Sequence, residues 1–141
     1  MSEQDLSAVP IYVLAAVVAR RVTIKDGVVG MEEFRPFVNG DPANGPTAYQ
    51  LGMLIAVDDG VPDFTGTFQW FRPDGGADDP DLFEFRRIGH GVRFARGDLD
   101  MSGAPGGTHW LRLRAAGREL ARIPVVVLVP GVHVSPLSGP Y

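Results

Sequence analysis

Glycine and proline punctuate this chain at short intervals, 18 and 12 of them in 141 residues, and that spacing leaves room for many short strands joined by turns. The first apolar run, Ile11 to Arg20 (IYVLAAVVAR), suits a buried strand, although Leu14, Ala15, Ala16 and Ala19 would also suit a helix. The sequel favours the strand, because Val22 to Val29 holds an Asp26-Gly27 hairpin signal between β-branched residues. From Phe34 to Pro46 the prolines and the Asn44-Gly45 pair predict a loop.

The run Thr47 to Val57 places Tyr49, Leu51, Met53, Ile55 and Val57 on one face at a spacing of two, the pattern of a core strand. Further strands are expected at Thr65–Arg72, Asp81–Ile88, Gly91–Arg96, Thr108–Ala115 and Arg118–Val129, with Gly97–Gly106 as a loop. Trp70 and Phe71 fall on opposite faces of their strand. Pro124 lies inside the last strand and marks an edge, a bulge or a switch between sheets. Seven to nine such strands, by this reading, at roughly 8–12-residue spacing predict a two-sheet antiparallel β-sandwich. Residues 1–10 read as a flexible lead, 11–129 as the all-β domain, and 130–141 as an extended Pro-rich C-terminal tail.

The order of features carries a resemblance. An apolar first strand leads to a Lys-Asp-Gly turn at 25–27, an aromatic strand ends in Arg72-Pro73-Asp74-Gly75, and Pro105-Gly106-Gly107-Thr108-His109-Trp110-Leu111 precedes the hairpin Ala116-Gly117-Arg118-Glu119-Leu120. Over roughly residues 11 to 128 this resembles a group of small bacterial immunoglobulin-like β-sandwich proteins of unknown function. The resemblance implies the fold and brings no catalytic residues.

Charge and composition narrow the function. The net charge of −4 argues against a dedicated nucleic-acid binder, whose footprint is a basic excess. The absence of cysteine removes disulfides, thiolate metal sites and thiol nucleophiles. The start, Met1 to Asp5, is acidic where a secretory signal is basic, and Ile11–Val18 is too short to span a bilayer, so a cytoplasmic protein with no membrane partner is expected. No nucleophile elbow, Walker loop or dinucleotide fingerprint is present, and the expectation is a protein that is not an enzyme and holds no cofactor.

Three candidate surfaces remain. Trp110, Arg112 and Arg114 share one face of a strand, with Arg86, Arg87, Arg93 and Arg96 on neighbouring strands; this stripe suits an anionic partner or simply forms the polar outer face of a sandwich. Asp58, Asp59 and Asp63 in one loop, and Asp74, Asp78, Asp79 and Asp81 in another, suit Ca²⁺ if the loops meet, and otherwise serve as turn residues. His90, His109 and His133 have no zinc-like spacing. In the tail, Val132, Val134, Pro136 and Tyr141 are candidate contacts. The leading expectation is an interaction or assembly module binding a protein partner or a further copy of itself. Alternatives are a sandwich binding Ca²⁺ or carbohydrate at the Asp-rich loops and Trp70, and a chaperone-like oligomer suggested by Val132-His133-Val134.

Overall fold

The computed structural model describes residues 6–35 and 37–131; the tail candidates Val132, Val134, Pro136 and Tyr141 lie outside the described residues. Ten strands follow in order: β1 (Ile11–Ala19), β2 (Arg21–Lys25), β3 (Val28–Glu32), β4 (Phe37–Asn39), β5 (Ala48–Val57), β6 (Phe64–Phe71), β7 (Asp81–Gly89), β8 (Val92–Asp100), β9 (Gly107–Ala115) and β10 (Arg118–Leu128). One curled sheet has the order β1-β5-β8-β7-β6-β9-β10-β4, and β2-β3 form a separate hairpin. The curl folds the large sheet into the two facing layers of a β-sandwich.

Strand β7 is what joins the layers. Its first part, Asp81–Phe85, pairs with β6, whereas Arg86–Gly89 pairs with β8 across an irregularity in register between Arg87 and Gly89. The pairing is antiparallel throughout except at β10·β4, where Phe37–Asn39 runs parallel to Val126–Leu128. This short parallel pair closes one end of an otherwise antiparallel sheet. A long excursion through β5 to β9 separates β4 from β10, so no hairpin connection fixes their relative direction.

The period-two run in β5 behaves as its pattern requires. Tyr49, Leu51, Met53, Ile55 and Val57 are buried against Phe68, Phe83, Phe85, Leu111, Leu113, Val125 and Val127 from the opposite half of the curl. The expected loop at 97–106 is a strand for its first part, because β8 continues to Asp100. Gly97 is not a breaker there: a Cβ on it would stand 2.7 Å from the Phe68 ring, so glycine admits the aromatic of the opposing layer. Pro124 lies on β10 beyond the stretch that β4 covers, where the missing N–H leaves no donor unpaired.

The β2–β3 hairpin covers the outer face of the β5–β8 layer. Val22 packs with Ala19 and Phe94 and with Val17, Leu54 and Ile88. Its main chain is held by two side chains of that face, the Val22 N–H donating to Gln50 Oε1 at 2.8 Å and Arg96 Nη1 donating to the Val22 carbonyl at 3.0 Å. Gly52 makes the approach possible, since a Cβ there would lie 2.7 Å from Val22 Cγ1. The valine is stiff about χ1 and cannot turn aside freely. Gly52→Ala is therefore expected to cost about 1–3 kcal/mol by overpacking. Hydrogen exchange should show the loss at the Val22 amide while the β5–β8 ladder stays protected.

Candidate functional site

Trp110, Arg112 and Arg114 stand on the outer face of the β6-β9-β10 layer, all half-buried. Cross-strand register sets Phe71, Gln69 and Thr67 on one side of them and Pro124, Arg122 and Glu119 on the other. Arg112 Nη2 donates to Gln69 Oε1 at 3.0 Å, and the guanidinium lies 5.4 Å from the Phe71 ring centroid. Arg114 reaches the Gly117 carbonyl at 3.4 Å, and Arg122 pairs with Glu119 at 2.8 Å. Arg86, Arg87, Arg93 and Arg96 do not extend this stripe, since they lie on β7 and β8, neither of which neighbours β9. Arg96 holds the hairpin, and Arg93 points into the core with no exposed surface.

The two Asp-rich loops lie at opposite ends of β6, which separates them by roughly 25 Å at the usual rise of an eight-residue strand. They cannot share one ion. In the first loop the carboxylates are already engaged: Asp58 Oδ1 accepts from the Gly60 N–H at 2.8 Å, Asp59 Oδ1 from the Gly91 N–H at 3.0 Å, and Asp63 Oδ1 from the Arg87 N–H at 3.2 Å. The Gly91 N–H and then His90 hold the Asp59 carboxyl below the usual range. In the second loop Asp74 Oδ1 accepts from the Gly76 N–H at 2.8 Å, and Asp78 is paired with Arg72. Among the described residues no group of three His, Asp or Glu side chains is arranged to hold a metal.

At the second loop's end a pocket of about 290 Å³ opens between the β6–β7 and β8–β9 connections. Its rim carries Asp78, Asp79 and Asp81 from one side and Asp98 and Asp100 from β8, with Arg72 the one arginine or lysine lining it among the described residues. Trp70 and His109 form part of its wall. Trp70 Nε1–H donates to His109 Nδ1 at 2.7 Å, and His109 Nε2 is 2.7 Å from the Pro105 carbonyl. An indole nitrogen can only donate and a carbonyl can only accept, so His109 is neutral with its proton on Nε2. Burial is the largest cause that pushes this imidazole below its ordinary value; Pro105, Asp78 and Asp74 oppose the shift and Arg72 adds to it.

A fourth feature is the edge strand β1. It has nine residues with neither charge nor proline, and Tyr12, Val13 and Leu14 are 66%, 38% and 53% exposed. It pairs with β5, and a register shift between Val13 and Ala15 sets Leu14 outside the ladder. Beside its second half, Phe34 and Arg35 border a small cleft of about 150 Å³ with Val38 and Ile123–Val125.

No family model and no curated protein matches this chain. Solved structures do match, two of them from Pseudomonas species. One is the alkylpurine DNA glycosylase of Pseudomonas fluorescens bound to DNA containing an abasic site analogue, at 9% identity and a TM-score of 0.48, covering 84% of this chain and 30% of that one. The other is an immunoglobulin-like protein from Pseudomonas aeruginosa, at 14% identity and a TM-score of 0.45, covering 84% of this chain and 97% of that one. The chain thus spans less than a third of the glycosylase chain.

The pocket was out of reach of sequence reasoning because Asp98 and Asp100 fall in the stretch read as loop. The one available signal was the alternation Gly97-Asp98-Leu99-Asp100, which continues the period of the strand before it. The β1 edge was half visible: its apolar run was evident, but which strands end a sheet is set by pairing.

Proposed function

We propose that this chain is a non-enzymatic interaction module that docks other polypeptide through the edge of β1. The observation that carries the reading is the exposed, uncharged run Tyr12-Val13-Leu14-Ala15 on a terminal strand of the sheet. Sheets of folded proteins guard their edges with lysine, proline or inward charges, because free N–H and C=O groups template further pairing. None of those charged or proline devices occurs within Ile11–Ala19, where the one interruption of the edge is the bulge at Leu14. The Trp110 face supports the reading less well, since Arg112, Arg114 and Arg122 already reach Gln69, Gly117 and Glu119 of the same layer.

The test places a charge on the edge and a photoreactive group beside it. Leu14→Lys adds the guard that β1 lacks at a position already exposed, so the domain should keep its stability. Sedimentation of the full chain over a wide concentration range is expected to show association that Leu14→Lys weakens by about tenfold or more, a change of about 1.4 kcal/mol. A photoreactive phenylalanine at position 12 should form adducts of defined mass, and the same group at Lys25 should not. A wild-type chain that sediments as a monomer throughout and yields no position-12 adduct would rule the reading out.

A further inference from the structure

We propose that the Trp70–His109 pair is an acid-sensitive latch: proton uptake at His109 Nδ1 breaks its bond to the Trp70 indole and opens the acid-rimmed end of the sandwich. His109 is fully buried, and both of its ring nitrogens are committed, Nδ1 as acceptor from Trp70 and Nε2–H as donor to Pro105. An imidazolium carries two N–H groups. A proton on Nδ1 would therefore face the Trp70 N–H donor-to-donor across 2.7 Å, with the indole and imidazole ring centres only 5.1 Å apart. One of the rings must leave, and the pocket of about 290 Å³ that both line gives Trp70 somewhere to go.

The surrounding charges decide when this happens. From the β6–β7 connection Arg72 opposes the proton while Asp74 and Asp78 favour it. From β8 the pocket carries Asp98 and Asp100, and β10 sets the uncharged Val125 opposite His109. In the closed state burial prevails and the imidazole stays neutral below its ordinary value. Once the indole has moved, the imidazolium meets water and the carboxylates of the rim, so the charged form is favoured only in the open state.

The sign follows from linkage. The unfolded or open chain binds the His109 proton more readily than the closed one, so the latch holds fully above the ordinary histidine value of about 6.5. It weakens as pH falls from there towards the lowered value of the closed state.

Nitrogen-resolved NMR of the full chain, from about pH 8 down to about pH 4, brackets the ordinary histidine value and tests this. The expected result is an Nε2–H tautomer for His109 at neutral pH and a protonation midpoint below that of an exposed histidine. The Trp70 indole N–H should lose its exchange protection with the same midpoint. Because the chain has two tryptophans, a Trp110→Phe chain reports Trp70 fluorescence alone and should show the same step, and His109→Gln should remove it. A Trp70 indole signal that stays unchanged while His109 titrates overturns the latch. Protonation of His109 near 6.5, or global unfolding before His109 titrates, does so as well. The tautomer and indole measurements need no variant, so they decide the matter even where His109→Gln does not fold.

Discussion

Phe85→Ala is expected to lower the stability of the domain by about 3–5 kcal/mol, the range for a large aromatic removed from a packed core. Phe85 has no exposed surface and stacks on Phe64 at 5.0 Å between ring centres and against Phe83 at the same distance. Its place in the chain sharpens the effect. It is the last β7 residue paired with β6, and the next residue, Arg86, is paired with β8. The cavity would therefore open where the two layers share a strand, and neighbouring strands cannot collapse into it without shifting that crossover. Urea unfolding reads the result as a lowered midpoint. A loss below about 1 kcal/mol would mean that the crossover relaxes freely and that the layers are not packed through Phe85.

At Arg93 the expectation is a contrast between two substitutions. The side chain is fully buried on the inward face of β8, opposite Ile55. Its Nη2 donates to the Val61 carbonyl, and its Nε lies 3.6 Å from Asp63, a carboxylate that is 49% exposed. Nε and Nη1 have no hydrogen-bond partner among the described residues. A guanidinium so placed has lost most of its hydration and recovers little from a solvent-screened partner. Arg93→Ala should still cost about 2–5 kcal/mol, because it leaves a cavity in the core. Arg93→Met fills that space without the buried charge and should match or exceed the wild type, gaining up to about 3 kcal/mol against the freed Val61 carbonyl. If the methionine chain unfolds as early as the alanine chain, the charge itself holds the β5–β6 loop.

Much of this architecture can be read from residue order. The period-two run Tyr49 to Val57, the Asp26-Gly27 turn and the Ala116-Gly117 turn each depend on neighbours within a few residues, and each occurs where its chemistry requires. Residue order misleads where a residue answers to a distant partner. Gly97 looks like a breaker in isolation, yet Phe68 from the other layer is what excludes a side chain there. Arg93 looks like a surface residue on an alternating strand, and its inward direction follows from pairing with Ile55. The wider stripe of arginines dissolved for the same reason: Arg96 faces the hairpin and Arg93 the core, while Arg112 and Arg114 keep the outer face beside Trp110.

The candidate sites divide along that line too. Aspartates beside glycine announced two turns, and Asp58, Asp59 and Asp74 do hold turn or loop amides. Their separation by the length of β6 could not be read locally, nor could the meeting of Asp78 and Asp79 with Asp98 and Asp100 around one pocket. His109 is followed by Trp110 in the chain, but the indole that bonds it is Trp70, 39 residues away in sequence.

By itself the sequence determined that this chain forms short strands and turns, which of them carry core residues, and that familiar catalytic motifs are missing. Those properties follow from side-chain periodicity and backbone preference, both of which act over a few residues. Tertiary structure alone decided that β1 is an edge, that β7 serves two layers, and that the Trp70 indole N–H faces His109 Nδ1. The physical reason is that an edge, a crossover and a donor–acceptor pair are relations between segments far apart in the chain, fixed only when pairing and burial bring them together.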